Sequence, residues 1–401
     1  MFEANYDESL VPKYTLPDPL VSNDGSPVST AAEWRDKRRA EVLALFETYV
    51  YGKTPERVID TRAVTLAEAD SCGGKAKRKE VRIYFTEDDS RPYLDLLVYV
   101  PTATEGPAPG FIGLNFQGNH SVTEESDVII SDEWMRPKGI GVVGNHATEE
   151  ARGTASSRWP IERIVDRGYM IATAYCGDLD PDYDDGYQDG IHPLFHSGGS
   201  VPADDEWGTI GAWAWGLSRA LDYFETDPDI DADRIAVMGH SRLGKTSLWA
   251  GVQDERFAIV ISNDSGCGGA ALSRRAFGET VGRINTSFPH WFCNNFKEYN
   301  ENEASCPVDH HMLIALAAPR PVYVASAIDD QWADPKGEFL GARFADPVYR
   351  LLGTDGLETE NMPEVETSIQ STIGYHVRQG GHNVTNYDWD RYMDFADKHM
   401  K

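Results

Sequence analysis

Arg234-Ile-Ala-Val-Met-Gly-His-Ser-Arg-Leu-Gly-Lys245 is the stretch on which the fold turns. It begins as a β-rich apolar run, breaks at Gly239 and continues in a helical pattern, so it reads as a strand bending sharply into a helix. Ser241 sits on the bend. Gly239, two residues before it, and Gly244, three after, allow a backbone too tight for side chains. The N–H groups that open the helix lie next to the serine and favour negative charge there. This is the setting of a nucleophile elbow with Ser241 as nucleophile. The second glycine stands at +3 and not at the +2 of G-x-S-x-G, and Arg242 at +1 places a fixed cation where a tetrahedral oxyanion would form. The bland alternative is a Gly-Ser turn in an ordinary α/β crossover.

Working outward, the rhythm on both sides supports the bend. Downstream of residue 169 strands and helices alternate: strand 169–175, helix 210–225, strand 234–238, a helix from Ser241, and strands 257–261, 322–327 and 372–377. That order predicts a mostly parallel sheet covered by helices on both faces, a three-layer αβα sandwich. Upstream, the runs at 81–85, 94–100 and 111–116 follow one another as short β segments, which predicts an antiparallel entry. Before them, Thr30-Ala-Ala-Glu33 reads as a capping box opening a helix to about Tyr51. No repeat or low-complexity linker marks a cut. The reading is an extended lead over residues 1–28 and one domain over 29–401. Two long segments, 121–159 and 178–205, are rich in Gly, Asp and Asn and are expected to roof or rim a site.

Composition narrows the partners. The 401 residues carry 37 Lys+Arg against 65 Asp+Glu, a net charge of −28, which repels phosphate backbones and anionic lipid. Nucleic acid and membrane are therefore not expected as partners. Hydrophobic residues make up 41% of the chain, enough for a large core, and no run approaches the ~20 apolar residues of a spanning helix. The first twenty residues carry acids and prolines, with no basic end and apolar run of an export signal. Cys72, Cys176, Cys267, Cys293 and Cys306 are odd in number and not spaced as metal knuckles, so at least one thiol is expected to be free, with room for one disulfide.

A serine nucleophile needs a base and an acid. In α/β hydrolases they follow in the order Ser, acid, His, which puts the base after the last strand. His382 in Gly380-Gly-His-Asn383 fits, with two glycines to let the loop swing the imidazole over the bend. His399 reads as a solvated residue of the terminal helix, and His310 and His311 as packing, because adjacent helix residues do not face one ion. Two acids remain open. Asp330 follows the strand at 322–327, and Asp264 follows the one before it; either is placed to orient His382. The acidic run Asp178 to Asp189 fails the calcium-loop test, since position six counted from Asp180 is Asp185 and position twelve is Ile191. A rim loop is expected there, and no metal or other cofactor anywhere.

With these residues placed, the chain resembles the glucuronoyl esterases of carbohydrate esterase family 15, in particular their bacterial branch. The resemblance is carried by Gly239-His-Ser-Arg-Leu-Gly-Lys245, Ser265-Gly-Cys-Gly-Gly-Ala-Ala271, Trp332-Ala-Asp-Pro-Lys-Gly-Glu-Phe339 and Gly381-His-Asn383 in order. Asn115-Phe-Gln-Gly-Asn-His120 and Asp185-Gly-Tyr-Gln-Asp-Gly-Ile-His-Pro-Leu-Phe195 add to it, and it covers most of the chain after about Ala31. It implies the α/β-hydrolase fold and hydrolysis of (4-O-methyl-)glucuronic acid esters, as in lignin–glucuronoxylan cross-links. Ser241 would be nucleophile, His382 base, and Arg242 the oxyanion residue; Lys245, Glu279 and Trp332 would hold the uronate. Ser241 and Lys245, at i and i+4, share one helix face. The family takes its acid from either strand end, usually Glu at the earlier one; here that position holds the shorter Asp264, so Asp330 is favoured. Such a substrate implies a secreted or periplasmic monomer. The alternatives are an acetyl xylan esterase or general carboxylesterase, and a catalytically dead carbohydrate-binding relative.

Overall fold

The computed structural model describes residues 3–195 and 203–401; the middle of the second long segment, 196–202, lies outside the described residues. In chain order the strands are β1 (Arg62–Ser71), β2 (Ala76–Tyr84), β3 (Tyr93–Pro101), β4 (Ala108–Asn115), β5 (Val142–Val143), β6 (His146–Ala147) and β7 (Met170–Tyr175). They continue with β8 (Ile230–His240), β9 (Ile259–Asn263), β10 (Val322–Ala327), β11 (Ser368–Gln370) and β12 (Ile373–Arg378). Ten of them form one sheet in the order β1-β2-β3-β7-β4-β8-β9-β10-β12-β11, while β5 and β6 pair with each other. The entry strands are antiparallel as expected, and from β7 to β12 every neighbouring pair is parallel.

The helices are α1 (Ala31–Glu33), α2 (Arg39–Tyr49), α3 (Ile161–Asp166), α4 (Thr209–Phe224), α5 (Arg242–Gln253), α6 (Val281–Ser287), α7 (His310–Leu316), α8 (Pro335–Leu351) and α9 (Asn386–Met400). Two apolar cores separate them into layers. Strand residues alternate between the cores with the period of two that a pleat imposes: Ile112, Val237, Val260 and Val324 face one, Phe111, Ala236, Ile261 and Tyr323 the other. The first core is closed by α2, α4, α5, α7 and α8, with Phe46, Trp213, Trp249, Leu313 and Tyr349 fully buried; the second by α3 and α9, with Ile164 and Trp389. This is the α/β-hydrolase sandwich.

Where structure and expectation differ, the reasons are local. The capping box at Thr30 forms, but the helix it opens passes through a wide π turn at Trp34–Arg38 before α2 ends at Tyr49. β1 escapes the hydrophobic pattern because it is an outer, largely exposed strand whose Glu68 pairs with Lys77 of β2 at 2.8 Å. All five cysteines are free thiols, so the disulfide entertained above does not form. Among the described residues no helix is long and apolar enough to cross a membrane.

Register then assembles the site. β8 ends with His240 opposite Asn263, the last residue of β9; Asn263 in turn lies opposite Ala325 of β10, and Ala327 opposite Arg378 at the end of β12. The loops leaving β8, β9, β10 and β12 therefore emerge side by side at the carboxyl edge, where open parallel sheets place their sites.

Candidate active site

Ser241 follows β8 and precedes α5 with φ 59° and ψ −129°, a left-handed backbone that costs a non-glycine residue about 1–3 kcal/mol. Its neighbours enforce the bend. A Cβ on Gly239 would lie 1.8 Å from the Leu243 carbonyl oxygen, and one on Gly244 3.0 Å from Ser265 Cβ. The +3 glycine thus lets α5 approach the loop after β9. The Ser241 N–H is spent on the Asn263 carbonyl at 2.9 Å, which locks the elbow to β9.

His382 lies on the loop after β12 and Asp330 after β10, and His382 Nδ1 is 2.6 Å from Asp330 Oδ2. The imidazole ring also packs on His240, the residue before the nucleophile, with centroids 4.4 Å apart. Ser241, His382 and Asp330 all line one cleft of about 400 Å³ together with Arg242, Lys245, Asp264, Glu279 and Trp332. Every site residue named from the sequence is thus in one place.

Asp264 is close as well. One ligand atom each from Asp264, Asp330 and His382 lie within 4.8 Å of one another, the one cluster among the described residues tight enough to grip a metal ion. An imidazole flanked by two carboxyls has the same geometry, and the 2.6 Å bond already engages Nδ1 with Asp330. Burial, reinforced by the charges of Glu338 and Asp330, pushes the Asp264 carboxyl well above the usual range. Asp264 thus lies, with its carboxyl raised by burial, beside an Asp330 that already bonds the histidine.

Arg242 is fixed by a residue the sequence did not single out. Its Nε is 2.8 Å from Asp182 Oδ2, and its guanidinium lies over the Phe116 ring at 4.6 Å and the Trp291 ring at 5.7 Å. Asp182 also pairs with Arg136 at 3.0 Å and accepts from Trp291 Nε1 at 2.8 Å. Burial alone would favour its neutral form; Arg242, the His290 hydrogen bond and Arg136 outweigh it and hold the carboxyl well below its ordinary range. The acidic run is thus no simple rim: Asp178, Asp180 and Asp182 are buried, and Asp180 accepts from Thr209 at the start of α4 at 2.5 Å. Its only sequence signal was density of acids, which did not say which one mattered.

Across the cleft, Lys245 is buried, donates to the Ser265 carbonyl, and sits 3.8 Å from Glu279 Oε2. Burial raises the Glu279 carboxyl, against the pull of Lys245 and a hydrogen bond from Trp332. The backbone joins the latter two, Glu279 N–H to the Trp332 carbonyl at 3.0 Å, and Gly278 makes room because a Cβ there would lie 2.5 Å from the Gln331 and Trp332 carbonyl oxygens. Beneath, fully buried Glu338 accepts from the Ser265 and Gly266 N–H groups at 2.7 and 3.0 Å and bonds Ser326 at 2.6 Å, bracing the loop after β9. Burial pushes Glu338 up to about 8. His310 and His311 pack remote from the cleft, against Ser273 at 3.1 Å and the Pro17 carbonyl at 2.9 Å.

A family profile described as "Glucuronyl esterase, fungi" matches residues 201–353. The solved structure of a promiscuous CE15 esterase from the marine bacterial metagenome is 54% identical, with 99% of this chain and 100% of that one aligned at a TM-score of 0.94. The glucuronoyl esterase from Solibacter usitatus is 46% identical over 98% of this chain and 100% of its own, TM-score 0.93. A 4-O-methyl-glucuronoyl methylesterase of Schizophyllum commune is 29% identical over 84% of this chain and 74% of its own. An elbow serine, an acid-bonded histidine and a buried lysine–glutamate pair in one cleft, with identities of this size over whole chains, place the protein in carbohydrate esterase family 15, the glucuronoyl esterases.

Proposed function

We propose that this chain is a serine esterase that hydrolyses esters of (4-O-methyl-)glucuronic acid, as in lignin–glucuronoxylan cross-links, with Ser241, His382 and Asp330 as its triad. The observation that carries the reading is the single cleft in which the elbow serine and the Asp330-bonded histidine face a buried cation and carboxyl, Lys245 and Glu279. An acetyl group offers such a pair no hydroxyl to hold. A uronate ring does, because its hydroxyls need both a donor and an acceptor.

The steps follow from which atoms are already engaged. His382 Nδ1 is tied to Asp330, which leaves Nε2 as the basic nitrogen. Nε2 takes the Ser241 proton as Oγ adds to the uronate carbonyl, and the negative charge falls beside the Arg242 N–H and guanidinium. Collapse breaks the ester bond, the alcohol leaves with the proton from His382, and a water activated by the same nitrogen releases glucuronate. Lys245 and Glu279 hold ring hydroxyls and Trp332 offers its amphipathic face, so that the carbonyl is aligned before attack. The alcohol half is read loosely. The partner is a cell-wall carbohydrate ester, and the enzyme works as a secreted or periplasmic monomer.

Benzyl or methyl glucuronate assayed against p-nitrophenyl acetate tests the reading. A clear preference in kcat/KM for the glucuronate ester is expected; a marked preference for acetate would assign the cleft to an acetyl xylan or general carboxylesterase.

A further inference from the structure

We infer that Arg378 is a positioning residue of the reaction: it fixes the imidazole of His382 by clamping the backbone on both sides of it. The inference rests on the triad reading above and adds to it the part that holds the base in register.

Arg378 ends β12, is buried, and sits under the loop that carries His382. One arm of its guanidinium, Nη1, donates to the Gln379 carbonyl at 3.1 Å; the other, Nη2, donates to the Gly381 carbonyl at 3.1 Å and to the Asn383 carbonyl. The last two acceptors flank His382 directly. Nε donates to Asp388 Oδ2 at 2.8 Å, and Nη2, already engaged by the two carbonyls, also lies 3.4 Å from Asp264 Oδ2. Asp388 is itself anchored. It bonds His376 Nε2 at 2.9 Å and accepts from the Thr385 N–H at 2.7 Å, so it pins the far end of the same loop where α9 begins.

The loop needs such a clamp. His382 is 41% exposed, and Gly380 and Gly381 before it supply no side chain to pack, Gly381 having nothing within 4 Å of where a Cβ would be. Apart from the clamp, the imidazole itself is held by Asp330 and the His240 ring, and the loop backbone by Asp329 N–H to the Gly380 carbonyl at 3.0 Å and Arg158 Nε to Asn383 Oδ1 at 2.7 Å; the Gly381 and Asn383 carbonyls on either side of His382 are taken by Arg378. A planar fork with five donors can serve three carbonyls and a carboxylate at once; a lysine, with three donors on a point charge, cannot.

R378K keeps the charge and loses the fork, and it is compared with wild type, H382A and the double variant. Active serines are counted with a phosphonate in the variants that keep His382, and folded protein is counted from the unfolding amplitude in the H382A pair; on that basis kcat and KM are measured on both methyl glucuronate and p-nitrophenyl acetate. Misplacement of a reacting group by about 1 Å costs about 100-fold. The expected result is a loss of that order in kcat per active serine on both esters, KM within about threefold. In the H382A background R378K should then add less than about threefold, because there is no base left to misplace. D388N, which keeps the shape of the anchor and removes its charge, is the second variant, with kcat per active serine down about tenfold. A lower melting temperature or a smaller titratable fraction with unchanged kcat per active serine, in either variant, overturns the proposal and leaves Arg378 a purely structural residue. Failure of the underlying reading looks different: H382A or D330N would keep wild-type turnover, or the wild-type enzyme would prefer acetate.

Discussion

Asp330→Asn removes the charge that receives His382 and leaves its shape. The carboxylate lies 2.6 Å from Nδ1, so when the imidazole takes the serine proton the resulting cation forms against a short charge-assisted hydrogen bond. Such a bond is worth about 1.5–3 kcal/mol, and its replacement by a neutral one costs about 10–150-fold in kcat/KM, since each 1.4 kcal/mol is tenfold. The loss stops there because of Asp264. One oxygen of that carboxyl lies within 4.8 Å of the Asp330 and His382 ligand atoms, and burial above all, with Asp330 beside it, pushes it above its ordinary range; with Asp330 made neutral that push weakens and Asp264 is expected to take up part of the work. Asp264→Asn alone therefore changes little, within about threefold, whereas the double variant falls to about 10⁴-fold below wild type, the order seen when a triad loses its acid altogether. The assay is steady-state hydrolysis of methyl glucuronate with active sites counted by phosphonate. A double variant equal to D330N would show that Asp264 gives no support, and near-normal D330N with a collapsed D264N would reverse the assignment of the acid.

Other perturbations reach other parts of the site. On the proposed reading, in which the buried ammonium holds the sugar, Lys245→Met should raise KM for methyl glucuronate at least about tenfold, with turnover of p-nitrophenyl acetate nearly unchanged. Asp182→Asn frees Arg242 and should lower kcat about 10–100-fold per active serine with little effect on KM; equal loss in an R242A background would place its effect elsewhere. Gly239→Ala should abolish the folded elbow, since its Cβ would meet the Leu243 carbonyl oxygen at 1.8 Å, and a soluble, active G239A would refute the geometry. For Glu338 the sign is fixed by the direction of its shift. Raised from 4.5 to about 8, it contributes stability in full below about pH 4.5 and loses it as the pH climbs through about 8. E338Q mimics the neutral form, so its melting temperature should match wild type near pH 5 and exceed it by an amount worth a few kcal/mol at pH 9. Melting curves that stay parallel from pH 5 to 9 would count against a carboxyl held neutral by burial.

The parts of this molecule that could be read from its sequence are those in which a local pattern and a local chemical demand coincide. The elbow is the clearest: Gly239, Ser241 and Gly244 lie within six positions of one another, and the geometry they permit, φ 59° at the serine with an oxygen 1.8 Å from where a Cβ would be, is set by that same stretch. The strands from β7 to β12 were legible because strands buried on both faces are continuous apolar runs, and β1 was not, because an exposed outer strand needs no such run. Lys245, Glu279 and Trp332 became candidates only through resemblance, since nothing in their spacing brings residues 245, 279 and 332 together.

Asp182, Glu338 and Arg378 mark the limit of such reading, and for one physical reason. Each acts by neutralising or fastening something brought to it by the sheet order: Asp182 meets Arg242, Glu338 meets the N–H groups of Ser265 and Gly266, and Arg378 meets Asp388 and Asp264. A buried charge is tolerated only where an opposite charge or several hydrogen bonds meet it, so its meaning lies wholly in its partner, and the partner is fixed by which strand ends lie side by side. In the sequence the three are one acid in an acidic run, one glutamate in a helix and one arginine at the end of a strand, each with an ordinary surface explanation. What marks them among the chain's 65 acids and 37 bases is burial against these particular partners, and that is visible only once the register of β8, β9, β10 and β12 is known. The supporting frame of such an active site is therefore harder to read than its reacting groups, although the Arg378 clamp governs whether those groups ever come into line.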